Sequence, residues 1–114
     1  MKVRAGFVSN SSSEAFICGS WGKCEYNIEE TVVILQKMID FYNDMEKTDI
    51  SYDQMFEMPK MADEKDFKLL EGWEIQKSRV EGKMIIYSVD DNSVPYELFG
   101  LIESKFNADR IHLG

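Results

Sequence analysis

From Ile28 to Lys47 the apolar residues return at helical spacing. Ile28, Val32, Leu35, Ile39 and Tyr42 form one stripe. Ile34, Met38, Phe41 and Met45 form a second, turned about 100° round the same axis. Glu29, Gln36, Lys37, Asp40, Asn43 and Asp44 fill the remaining positions. Asn27 and Glu30 have the spacing of a capping box, so the helix is predicted to begin at Ile28. So wide an apolar arc predicts burial on more than one side. Either the helix lies on a sheet beneath a second layer, or the second stripe meets another chain.

Around this helix the pattern changes period. Lys2 to Val8 alternates, with Val3, Ala5 and Phe7 on one face, and predicts a strand. Ala15 to Cys18 predicts a second, and Gly19 to Lys23 (GSWGK) a turn. Between Ser51 and Gly72 a short helical turn is expected to end before Pro59. A helix follows from near Asp63 to Gly72, with Phe67, Leu69 and Leu70 on its buried side. Trp73 to Val89 is expected to be a hairpin turning at Glu81-Gly82. Ser93 is the expected N-cap of a last helix carrying Leu98, Leu101, Ile102 and Phe106, and Arg110 to Leu113 a terminal strand.

The predicted order is β-β-α-α-β-β-α-β. It defines an α+β protein whose mixed or antiparallel sheet has about five strands, with two to three helices packed on at least one face. Residues 1–114 are read as one domain, a natural size for this length.

Charge narrows the partners. The net charge is -8 and the basic residues are scattered, which disfavours direct nucleic-acid binding. An acidic surface suits solubility or docking on a basic protein. No apolar run reaches the length of a membrane span, and the first apolar stretch is too short and broken to be a secretory signal. No membrane association is expected, and the location predicted is the cytoplasm. The cysteines, Cys18 and Cys24, fit reduced structural thiols, although a hairpin can also bring them within disulfide range. With one histidine and no CxxC, neither a metal nor another cofactor is expected.

Two segments are candidates for recognition. Ser9, Asn10, Ser11, Ser12, Ser13 and Glu14 form a polar loop between apolar runs. Its serines lack a nucleophile elbow, and the only histidine, His112, alternates with core residues Ile111 and Leu113 on its strand. An anion cradle would need glycine in the loop and lysine after it. No catalytic residue is therefore assigned, and enzyme activity is not expected. The second candidate is a partner surface made of Ile34, Met38, Phe41 and Met45 with Met55, Met58 and Met61, since methionine makes deformable contacts as well as filling core gaps.

The stretch MKVRAGFVSNSSSEAFI, Met1 to Ile17, resembles an N-terminal signature of otherwise different bacteriophage proteins: a basic strand, Gly-Phe-Val-Ser-Asn, a serine run, then Phe-Ile. Glu14 and Ala15 interrupt the serine run here. Asp91 to Gly114 is similar to the last segment of uncharacterised small phage proteins. The resemblance implies a phage source, and the cytoplasm of an infected bacterium as location, and specifies no chemistry. The expected function is a non-enzymatic accessory protein that binds a host or phage protein, such as an inhibitor of a host enzyme or defence system, or that pairs with a second copy. The alternatives are a virion or assembly component, and a small enzyme or ligand-binding module using the Ser9–Glu14 loop.

Overall fold

In a computed structural model of the chain, which describes residues 13–89 and 95–113, the sheet is built around two strands with no polar face. They are β1 (Glu14–Cys18) and β3 (Met84–Tyr87), and every residue of both is buried. A short continuous apolar run, rather than an alternating one, needs cover on both sides. The remaining elements supply it: α1 (Ile28–Glu46), α2 (Tyr52–Met55), β2 (Lys60–Met61), α3 (Glu64–Glu71), α4 (Lys77–Val80), α5 (Tyr96–Phe106) and β4 (Asp109–His112).

The described residues form an α+β fold with a sheet of four strands in the order β2-β3-β1-β4. Every pairing is antiparallel. Register sets the two faces. Phe16 stands opposite Ile86 and Arg110, and its neighbour Ala15 opposite Tyr87 and Ile111. On the first face Phe16, Cys18, Met84 and Ile86 pack with Leu35 and Ile39 of α1 and with Leu98, Phe99, Ile102 and Phe106 of α5. On the second, Ala15, Ile17, Ile85, Tyr87 and Ile111 pack with Leu70 of α3 and Val80 of α4. The sheet thus lies between two helical layers.

The long helix starts where its capping residues place it. Asn27 accepts from the Glu30 amide at 2.8 Å, and the Glu30 carboxylate accepts from the Asn27 amide at 2.9 Å. It ends at Lys47, which adopts a left-handed conformation with φ 57°. Asn43 then ties down the exit: its side chain donates to the Ile50 carbonyl at 2.8 Å and accepts from the Ile50 amide at 3.0 Å. At α3, Asp63 is the N-cap and Gly72 the C-cap.

Several expectations are corrected. Trp73 to Val80 is not a strand. The chain turns after α3 through Trp73 N–H to Leu70 C=O and Glu74 N–H to Glu71 C=O, then forms the helical turn α4. The slot beside β3 is taken by β2 instead. Glu81-Gly82 is the tight turn anticipated, closed by Lys83 N–H to Val80 C=O with Gly82 at φ 75°, but it joins α4 to β3. Leu69 is exposed on α3, and on α5 Leu101 is exposed while Phe99 is buried. The expected strand Lys2–Val8 and the expected N-cap Ser93 lie outside the described residues; among those described, Pro95 occupies the N-cap of α5. Cys18 and Cys24 are free thiols. Burial, then the neighbouring Cys24, raises the Cys18 thiol far above its ordinary range, which keeps it protonated and unreactive.

Candidate functional site

The geometry of α1 divides its apolar arc. Thr31, Leu35 and Ile39 are fully covered by the sheet layer. Ile34, Met38 and Tyr42 are half-buried on the shoulder of that core. Phe41 and Met45 continue the same stripe outward, 63% and 53% exposed. No described element forms a second layer over them.

The rest of the outward surface is acidic. Glu29, Glu30, Asp40, Asp44 and Glu46 are exposed on α1, and Lys37 is the one exposed cation within the helix. At the N-terminal end, Tyr26, Val33 and Ile34 line a shallow depression of about 360 Å³ edged by Glu29 and Glu30. The outer face is therefore an apolar line beginning in a depression, running to Phe41 and Met45, and flanked by carboxylates. Such a face removes apolar area from water when a complementary surface covers it, and its charge selects that surface's sign.

The methionines separate. Met58 and Met61 are exposed, but Met55 is fully buried. Met55 closes α2, whose side chains Tyr52 and Met55 turn into the core beside Phe56. Met55 is thus removed from the partner surface: it fills the core.

The serine-rich candidate is likewise divided. Ser9, Asn10, Ser11 and Ser12 lie outside the described residues. Ser13 accepts from the Leu113 amide at 2.8 Å through its carbonyl. Glu14 is no loop residue. It opens β1, is buried, and donates its amide to Ser88 Oγ at 2.8 Å. Its carboxylate contacts His112 Nδ1 and stands 3.5 Å from Arg110 Nε. Arg110 in turn lies 3.4 Å from Glu103 and over the Phe99 ring at 5.2 Å. A buried carboxylate needs such partners. Here they come from β4, and Glu14 stitches the two strands together.

Sequence reasoning missed Trp21. The residue is 71% exposed at the tip of the GSWGK turn, with the Arg79 guanidinium 5.8 Å from its ring. Lys83 Nζ donates to the carbonyls of Gly19 at 2.9 Å and Gly22 at 2.5 Å, holding the turn in one shape. An aromatic residue between two glycines was the available signal.

Among the described residues no group of acidic, histidine and cysteine side chains is arranged to hold a metal ion, and no helix there is long and apolar enough to cross a membrane. Compared with known protein families, with curated proteins and with solved structures, the chain matches none.

Proposed function

We propose that the chain is a small, acidic, phage-encoded accessory protein that acts without catalysis, by docking the outer face of α1 on a host or phage protein. One observation carries this reading: Phe41 and Met45 stand exposed on a helix whose other outward positions are largely carboxylates. The partner it fits offers an apolar groove rimmed by lysine and arginine. A second copy of this chain fits less well, because two faces of the same acidic sign repel on approach. An inhibitor of a host enzyme or defence system is the form of accessory protein this face suits. The phage source rests on the resemblance of Met1 to Ile17.

The experiment is affinity capture from phage-infected bacteria, comparing the wild type with Phe41→Asp/Met45→Asp. A stoichiometric non-virion protein that is retained by the wild type and lost with the variant is the expected result. Recovery with assembled virions favours the structural role instead.

A second reading draws on His112. Its Nδ1 contacts the Glu14 carboxylate, which fixes one edge of the ring, and its side chain is 61% exposed. That is how a general base is oriented, and it favours the alternative of a small enzyme or ligand-binding module at the Ser9–Glu14 segment. Loss of a measured hydrolytic activity in His112→Gln would establish it.

A further inference from the structure

The second helical layer encloses a space that the docking face does not use. Four residues of α3, Glu64, Phe67, Lys68 and Glu71, recur at helical spacing along one wall. Ile75 and α4 form the other. Between them lies a pocket of about 220 Å³, lined at depth by Phe67, Leu70, Ile75 and Val80. Leu70 and Val80 are fully buried, whereas Phe67 and Ile75 are only half-covered by the protein itself.

Interiors pack to crystal density and leave few voids larger than a water. An apolar cavity of about 150 Å³ takes up benzene. This pocket exceeds that size, and half of its lining residues, Phe67, Leu70, Ile75 and Val80, are apolar. Its mouth is charged in both signs. Lys77 lies over the Phe67 ring at 5.1 Å and 3.7 Å from Glu64. Lys68 and Glu71 enter no ion pair recorded among the described residues, so an ammonium and a carboxylate stand open beside an apolar hollow.

We infer that the pocket between α3 and α4 binds a small zwitterion with one apolar ring, the chemistry of a free aromatic amino acid. The ring fills the space over Leu70 and Val80. The ligand's carboxylate meets Lys68 and its ammonium meets Glu71. Lys77 must swing off the Phe67 ring to admit it, which its exposed side chain allows. The site lies on the opposite face of the sheet from α1 and stands independently of the docking reading.

The test is an NMR titration of the wild-type protein with L-phenylalanine and, separately, with toluene, following the signals of Phe67, Ile75 and Val80. The expected result is saturable shifts at these residues with L-phenylalanine, with toluene at least tenfold weaker. The variant Lys68→Met/Glu71→Gln alters only exposed positions, and circular dichroism checks its fold. In it the preference for L-phenylalanine over toluene should vanish. Three outcomes overturn the proposal: no saturable shift at these residues up to the solubility limit, binding of toluene without L-phenylalanine, or an unchanged preference in the folded variant.

Discussion

Tyr87 Oη donates to the carboxylate of Asp66 at 2.6 Å, joining the middle of the sheet to the first turn of α3. Asp66 is only 4% exposed and also accepts from the Asp63 amide at 2.8 Å and faces Lys60 Nζ at 3.1 Å. The buried charge is thus met from β3, from β2 and from its own helix start. Burial and then this hydrogen bond raise the Tyr87 phenol well above its ordinary range. A hydrogen bond to a charged group contributes about 1.5–3 kcal/mol. Tyr87→Phe should lower unfolding free energy in urea by about that amount. Asp66→Ala should cost more, because it strands the Tyr87 hydroxyl and the Asp63 amide, while Lys60 keeps Asp63. Equal stability of Tyr87→Phe and wild type would show that the contact does not hold α3 in place.

Glycine is required at one left-handed position and merely convenient at another. Gly19 and Gly82 both have φ 75°. A Cβ on Gly19 would lie 2.5 Å from the Cys24 amide nitrogen, whereas one on Gly82 meets nothing within 4 Å. Gly82→Ala should cost about 1–2 kcal/mol, the conformational penalty alone. Gly19→Ala should cost clearly more and should shift the Trp21 fluorescence. Thermal melts of the two variants side by side decide it; similar losses would contradict the close approach.

Acid and alkali should each act through a named group. The Lys60 ammonium, and then the Asp66 amide, hold the Asp63 carboxyl far below its ordinary value of 3.8. A depressed folded value means a contribution complete above about pH 4 and lost as pH falls below it. Asp63→Asn keeps the N-cap acceptor and should flatten the stability profile between pH 5 and pH 2. At the other end, burial, then Asp53, pushes the Tyr52 phenol up to about 12. Its contribution is whole below pH 10 and declines as pH rises toward that value. Tyr52→Phe should therefore show less alkaline loss, read by circular dichroism against pH. Profiles identical to wild type would contradict both assignments.

How much of this was legible depended on how local each signal was. Asn27 and Glu30 announce α1 because both halves of the capping box lie within one turn. The hairpin assigned to Trp73–Val89 failed where tertiary competition decided. The alternation over Trp73 to Lys77 is weak, and β2, with two residues, claims the edge of β3. Glu14 was read as loop because it follows serines. Its partner His112 is 98 residues away, and only the β1–β4 register reveals it. Met55 and Met58 look alike in sequence, yet one turns into the core and the other out to solvent. On α1 the width of the apolar arc raised the question of what covers Phe41 and Met45, and only the layer arrangement placed them in water.

That arc predicts a sharp contrast in stability. Leu35 is fully buried, so Leu35→Ala should cost about 2–5 kcal/mol. Phe41→Asp lies on the exposed side of the same helix and should change stability by about 0.5 kcal/mol or less. Urea titration of both tests the division of α1 into a core face and an open face. A collapse of Phe41→Asp would mean that residue is covered after all.

The central claim is that the open face of α1 is a docking surface for a basic protein partner. Its most direct test is the affinity of a partner captured from infected cells, purified, and titrated calorimetrically against wild-type chain and Phe41→Asp/Met45→Asp. An interface anchored by these side chains should lose at least about 2 kcal/mol, roughly a 30-fold weaker Kd, while circular dichroism stays unchanged. Charge complementarity predicts that wild-type affinity also weakens as salt is raised. Binding of equal strength by the folded variant, insensitive to salt, would contradict the account.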